Sequence, residues 1–570
     1  MANFYLDNSD ILFHMKNMDI SRIVNLREEN FIEKDVFPEA PRDVEDAVDN
    51  YAKVLEIVGE IAGEFIAPRA SDVDEEGARL VNGEVSYAQG TKDAIDRLKK
   101  SDLTSVTLPR KYGGLNFPKT IYAIAIEIVS RADAALMNIF GLQEIAETIY
   151  KFGSEDQKKR YLPRFSNGEV MGSMALTEPD AGSDLQSITL SAHQKDDGKW
   201  YLNGVKRFIT NGNAQISLVM AHSEPNISGG RGISLFIYER DNNMRIRRIE
   251  NKLGIHGSPT CELQFNDAPA ELLGQRKFGL IKYTMSLMNG ARLAVAAQAL
   301  GIAEAAYREA NSYAKSRVQF GKPIGDITAI YEMLTDMKVA IEAGRSFLYE
   351  TACIVDIKEC LEETIEHHPE QKADLQEDLK RYSKYAALFT PALKAYLTEK
   401  ANQICYDALQ IHGGSGYTKD YSVERLTRDV RVTNIYEGTT QLQVLAAIGG
   451  IISGVIFDRL NEYENDYDFS LIVDVFSQAK ELRSYLKDAI IYIQEKEDKS
   501  YQEYHERRLV EMGNDVIISF LLCIDALKSD RKKKIAQLFI AKALPCCKAT
   551  KNYILSGDKG VLEFHGDVVG

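Results

Sequence analysis

Twice along this chain the spacing of apolar residues changes period, and those two changes limit its architecture more than any single motif does. From Pro41 to about Arg164 the spacing is helical, as in DAVDNYAKVLEIVGEIAGEFIAPRA and TIYAIAIEIVSRADAALMNIFGLQEIAETIYKF. From Val170 it drops to two: SITLSAHQKDDGKWYLNGVKRFITNG holds two alternating runs about an Asp-Gly turn, and ISLVMAH and GISLFIYER continue the pattern. Helical spacing returns at Tyr283 and runs to about Ile456, and a further helical block, Asp458 to about Ser556, precedes a Gly-rich tail. At roughly 150 residues per domain, 570 residues exceed one ordinary core. The expected organisation is an extension at 1–40, helices at 41–164, a β domain at 165–280, helices at 281–456 and a last helical domain at 457–570. The acidic stretch KECLEETIEHHPEQKADLQEDLKRY interrupts the third unit and is expected to be a solvated insert.

The balance of charge excludes some functions. A net charge of −15 with a pI near 5.3 argues against a nucleic-acid partner, which needs clustered Lys and Arg. The start MANFYLDNSDILFHMKNMDI resembles neither a secretion nor an import signal. The longest apolar run, VLAAIGGIISGVIF (Val444–Phe457), contains three glycines and is shorter than the roughly 18 residues of a membrane span, so it is expected to be a buried helix. Seven irregularly spaced cysteines, with Cys546 and Cys547 adjacent, point to reduced thiols and to no metal site, and hence to a cytoplasmic location. No GxGxxG follows a strand and no P-loop is present, so any redox cofactor is held in another way.

Four stretches carry candidate chemistry. MALTEPDAGSDLQS opens the β domain with hydroxyls and glycine amides suited to a planar polar ring or a phosphate, or to a plain Pro-Gly turn. FITNG alternates an aromatic and a threonine on one strand face. QIHGGSGYTKDYSVERLTRDVRV places glycines after a helix, where a backbone can approach a pyrophosphate or simply cap the helix. In RVTNIYEGTTQLQ a lone carboxylate, Glu437, stands between Tyr436 and Gly438 with no charged residue in sequence nearer than Arg431. A base working near neutral pH would be placed so, and so would an ordinary solvated residue at a helix end.

Together with KLGIHGSPT and SRVQFGKPI, these stretches resemble, in order and spacing, the acyl-CoA dehydrogenases, flavoenzymes that introduce a double bond next to a thioester. The resemblance runs from about Asp43 to Ile456, and the Asp458–Gly570 extension is similar to that of larger members. It implies an α+β fold: an N-terminal helical domain, a β-barrel-like middle domain, a C-terminal four-helix domain and an extra helical domain. Non-covalent FAD is expected at the junction. By position, Met174, Leu176 and Thr177 touch the flavin ring, Ser183 the flavin or the CoA, and Phe208 and Thr210 the other flavin edge. Arg317, Gln319, Gln410, Gly413 and Gly414 hold the adenine and pyrophosphate half of a neighbouring subunit's FAD, which implies a dimer or tetramer. Thr439 and Gln441 also face the cofactor. Asn289, Arg292, Tyr436 and Gly438 contact the acyl-CoA.

On the same resemblance Glu437 is the catalytic base. Its backbone amide and a ribityl hydroxyl of FAD polarise the thioester carbonyl, and electrons leave to electron-transfer flavoprotein. A subgroup of the family places the base just before the arginine of NGARLAV, but Ala291 stands there and cannot accept a proton. The chain departs from the family at Thr328, where a glutamine helping to hold FAD is frequent, and at Phe208, where a tryptophan is frequent. An acyl-CoA oxidase and a non-catalytic scaffold of the same fold are the competing readings. The oxidase is disfavoured by length and by the ending GDVVG, the scaffold by the presence of Glu437.

Overall fold

The computed structural model describes residues 2–570. The first unit is helical from Val44–Glu60 to Glu155–Ser166, with one small hairpin, Arg79–Val81 against Glu84–Ser86. Local chemistry sets the helix starts. Asp43 accepts from the amide of Asp46, and Ser154 and Gln157 form a reciprocal capping box. The helix Lys119–Ala132 is buried at every position but Arg131, as its nearly all-round apolar sequence requires.

The period-two region forms a closed sheet. Ser191–Gln194, Trp200–Thr210, Thr260–Leu273, Ile233–Glu239 and Ile216–His222 pair in that order, and the ring closes where Ser191 meets His222. Gly172–Ala175 lies parallel to Ile216–His222, and Met244–Ile249 pairs with Thr260–Leu273. Alternation along ISLVMAH sorts Ile216, Leu218 and Met220 to a core shared with Leu142 and Ile145, and Val219 and Ala221 to the core holding Phe236 and Phe265. Both faces of that strand are therefore buried.

Four further helices, Met285–Ser316, Thr328–His367, Lys372–His412 and Thr440–Ile452, pack on one another, and Lys119–Ala132 packs against the first two. Three expectations need correction. The acidic stretch is largely solvated, as expected, but it is no insert. It continues both long helices, turns at Pro369–Gln371, and meets the N-terminal segment through Arg27 and Glu363 at 3.2 Å and His367 and Glu29 at 2.8 Å.

Val444–Phe457 is not one buried helix. Gly454, at φ +86°, breaks it into Thr440–Ile452 and Val455–Asp466, bent by 64°, and Leu445 is 59% exposed. No single helix among the described residues is long and apolar enough to cross a membrane. The Gly-rich tail carries a helix, Gly560–Val569, despite its poor intrinsic helix formers.

The two ends of the chain meet at a buried knot of charge. Arg345, fully buried, donates to Asp10, to Glu127 at 2.6 Å and to Glu304 at 3.1 Å. Lys532, from the helix Asp530–Leu555, reaches the same Asp10 and lies 3.2 Å from Glu342. Asp10 sits on the helix Ser9–Asn17, whose first amides are capped by Asn8. A buried cation of this kind is tolerated only because its donors are matched.

Candidate active site

Glu437 lies in the short link between the turn Arg431–Asn434 and the helix Thr440–Ile452. Its φ is +52°, which is uncommon for a residue with a side chain and needs outside support. Two side chains supply it. Lys394, buried on the Lys372–His412 helix, donates to the carbonyl of Tyr436 at 2.6 Å and to that of Gly438. Gln443 donates to the carbonyls of Glu437 and Gly438 at 3.1 and 3.0 Å. Gly438 sits at φ +90°, and a β-carbon there would come 2.6 Å from Gln443 Nε2, so glycine is required on both counts.

The electrostatics of this link favour proton uptake by Glu437. Burial raises the Glu437 carboxyl above the ordinary carboxylate range, with Lys394 and then Arg292 pulling it back. Burial likewise pushes the Lys394 ammonium down to about 7, against the attraction of Glu437. Arg292 is buried, donates to Asn289 Oδ1 at 3.0 Å, and keeps a buried Nε with no partner. The Tyr436 hydroxyl meets Gln298 and, at 3.1 Å, Asn138, which fixes the ring. Ala291 is 5% exposed beside Arg292. The isolation of Glu437 in sequence is thus not isolation in space. Lys394 and Arg292 come from 43 and 145 residues earlier, and no local pattern announces Lys394.

The residues matched to the flavin ring are joined by a latch that the sequence did not reveal. Glu178 accepts from Lys206 at 2.9 Å and from the amides of Thr189 and Leu190 at 2.7 and 2.9 Å, and Lys206 donates also to the Leu176 carbonyl at 2.8 Å. The Arg207 amide donates to the Thr177 carbonyl at 2.9 Å. Met174, on Gly172–Ala175, together with Leu176 and Thr177, is therefore held beside the strand carrying Phe208 and Thr210. A register shift between Lys206 and Ile209 puts Phe208 at φ +61° with 51% of its surface exposed. Ser183 is exposed in the loop beyond.

A second group gathers at the far end of the Lys372–His412 helix. Arg317, Tyr313, His412, Ser415 and Tyr421 line one hollow of about 280 Å³. The rings of Tyr313 and His412 stack at 4.4 Å, and the Tyr313 hydroxyl meets Ser415 at 3.3 Å. Gly413, at φ +59°, and Gly414 have no atom within 4 Å of where a β-carbon would stand, so their backbone is open to a ligand. Gln319 and Gln410 are exposed nearby in sequence, on the two-residue strand Val318–Gln319 and the last helical turn. His412 is 18 residues from Lys394 on one helix, about 27 Å at 1.5 Å per residue. Within one chain this group therefore stands apart from Glu437. Thr439 is half-buried at the start of its helix, and Gln441 is exposed.

A cavity of about 870 Å³ opens beside the start of Met285–Ser316, lined by Asn289, Gly290, Lys119, Glu147, Glu359 and Thr390 among others. Thr390 stands one helical turn before Lys394.

Family models described as the acyl-CoA dehydrogenase N-terminal, middle and C-terminal domains match residues 49–169, 173–268 and 281–449, and one described as acyl-CoA dehydrogenase C terminal matches 453–558. The chain belongs to the acyl-CoA dehydrogenase family. It is an oxidoreductase of that FAD-dependent family in the form that carries an additional C-terminal helical domain. An acyl-CoA dehydrogenase of Bacillus subtilis is 39% identical over 367 residues, 63% of this chain and 89% of that protein. The butyryl-CoA dehydrogenase of Megasphaera elsdenii has a similar structure, with a TM-score of 0.60, 33% identity, and coverage of 70% of this chain and 98% of that one. An acyl-CoA dehydrogenase of Bacillus anthracis complexed with FAD shares the fold over 88% of this chain and 87% of its own, with a TM-score of 0.75 at 23% identity. The open backbone at Gly413 and Gly414 and the half-exposed ring of Phe208 leave space that fits such a cofactor.

Proposed function

We propose that this enzyme converts an acyl-CoA thioester to its trans-2-enoyl-CoA, with Glu437 as the base. The observation that carries this reading is the environment of Glu437, a half-buried residue whose carboxyl is raised by desolvation in a backbone pinned on both sides by Lys394. FAD, when bound, supplies the hydride acceptor. Glu437 removes the proton from the carbon next to the thioester. Its own amide donates to the carbonyl oxygen as negative charge develops there, and the positive φ supports this by turning that amide away from helical pairing. Arg292, with Asn289 fixing its guanidinium, lies on the acyl-CoA side, and Tyr436 walls the chamber.

Met174, Leu176, Thr177, Phe208 and Thr210 bind the flavin ring, Ser183 meets the ring or the CoA, and Thr439 and Gln441 complete the cofactor contacts. Arg317, Gln319, Gln410, Gly413 and Gly414 serve the adenine half of a partner's cofactor. Their separation from Glu437 and the exposure of Phe320 at 93% and Tyr417 at 87% support a homodimer at least. Electron-transfer flavoprotein is the acceptor the family resemblance favours. The test is anaerobic mixing of the holoenzyme with a panel of acyl-CoAs, followed at the flavin absorbance. Bleaching with formation of the enoyl-CoA is expected, and failure with every chain length overturns the reading.

A further inference from the structure

The cavity beside Met285–Ser316 carries charge in its lining as well as hydrocarbon. The Lys119 ammonium lies 3.0 Å from Glu147 and 3.5 Å from Glu359, and Lys151 holds Glu359 at 2.7 Å. Glu144, next to this group, is 9% exposed, and among the described residues its carboxyl has no ion-pair or hydrogen-bond partner. Both Glu144 and Lys119 point at Gly290. A β-carbon there would come 3.2 Å from Glu144 Oε2 and 3.4 Å from Lys119 Nζ. With glycine at 290 the two groups reach the helix surface beside Asn289, which lines the same cavity as Gly290 and Lys119.

What can occupy that corner follows from its chemistry. Burial pushes the Glu144 carboxyl up to about 8 against the pull of Lys119, toward the neutral acid that can donate as well as accept. A hydrocarbon end would leave Glu144 desolvated with nothing to bond, while Lys119 keeps Glu147 and Glu359. A carboxylate end would meet Glu147 and Glu359, and an ammonium end would meet Lys119. A neutral group that both accepts and donates satisfies the pair.

We propose that Glu144 and Lys119, uncovered by Gly290, form a polar subsite that selects short acyl-CoA thioesters bearing a neutral hydrogen-bonding group, a hydroxyl being the simplest, over plain hydrocarbon chains. This rests on the assignment of Glu437 and Arg292 to the reacting end of the substrate. It deepens that assignment by naming what the far end of the chain carries.

The experiment compares butanoyl- and hexanoyl-CoA with their terminally hydroxylated counterparts in anaerobic flavin reduction by the holoenzyme, reading the rate constant over the apparent Kd. Wild type is expected to favour a hydroxylated chain by at least about tenfold, since a site built to bond a hydroxyl strongly rejects its analogue without one. Glu144→Leu should abolish the preference and improve the hydrocarbon chain, and Glu144→Gln should keep most of it. Gly290→Ala, which covers both groups with a methyl, should lower it by an independent route. A hydrocarbon preference that is the same in wild type, Glu144→Leu and Gly290→Ala overturns the subsite. Bleaching by the better chain of either kind reports on the dehydrogenase reading, whereas the ratio between paired chains reports on the subsite alone.

Discussion

Lys394 straddles Glu437: its ammonium donates to the carbonyl on either side of that residue, at Tyr436 and at Gly438, while its charge faces the carboxyl between them. One side chain thus sets both the backbone shape and the proton affinity of the proposed base. Lys394→Met should slow flavin reduction by about ten- to a hundredfold with FAD content unchanged. The Lys394 charge lowers the Glu437 pKa, so its removal should move the rising limb of the pH profile to higher pH. Lys394→Arg should restore part of the rate. Stopped-flow bleaching across pH 6 to 9 decides the matter, and an unmoved pH profile would sink the electrostatic half of this account.

Glu437→Gln keeps the shape of the link but cannot take the proton. Flavin bleaching should slow by roughly a hundred- to ten-thousandfold, with FAD bound and acyl-CoA affinity kept. Glu437→Asp should be intermediate, because withdrawal by about one methylene costs on the order of a hundredfold. Near-normal bleaching in the Gln variant would mean that another residue removes the proton, which Ala291 cannot.

Arg317→Ala should shed FAD on dilution, and the loss should track dissociation of the oligomer, because a ligand bound only by the assembled state stabilises it. Analytical ultracentrifugation with absorbance at the flavin band measures both. A dilute monomer with full FAD occupancy would contradict the shared site.

The pair Glu178 and Lys206 is buried, and burial pushes the Lys206 ammonium down to about 8 against the pull of Glu178. Lys206→Met leaves Glu178 uncompensated and should cost about 3–5 kcal/mol, whereas changing both residues should recover much of it. Thermal denaturation of the holoenzyme should therefore rank the double variant above the single one.

Glu144 offers a test by pH. Its folded pKa of about 8 exceeds the ordinary value near 4.5, so between those limits the folded protein holds more protons than the unfolded chain. Its contribution to stability is complete below about pH 4.5 and is lost as pH rises toward 8. Glu144→Gln, which cannot ionise, should match wild type near pH 5 and exceed its melting temperature by a few degrees near pH 9. Equal melting temperatures at both pH values would rule out the buried, unpaired acid.

The layer order was legible because it depends on period, which is written locally: ISLVMAH and TIYAIAIEIV each declare their own geometry. Positions near Glu437 were legible through glycine and hydroxyl patterns within a few residues of one another. Lys394, Glu178, Lys206 and Glu144 were not, because a lysine or glutamate on a helix or strand reads as solvated until its distant partner is known. The helix break at Gly454 was missed because a run of apolar residues says nothing of direction, and the acidic stretch because Arg27 and Glu29, which meet it, lie more than 330 residues earlier in the chain than Glu363 and His367.

The knot around Arg345 has a consequence for how the molecule is made. Lys532 follows Asp10 by 522 residues, yet each neutralises the other inside the same dry space. Until residue 532 has emerged, the N-terminal helix carries an acid whose second cation does not yet exist, and Glu342 waits for the same lysine. Closing the interior is therefore a late step: the helix carrying Lys532 completes a charge balance opened by the helix carrying Asp10, and a nascent chain stalled before it holds Glu437 and an unfinished interior.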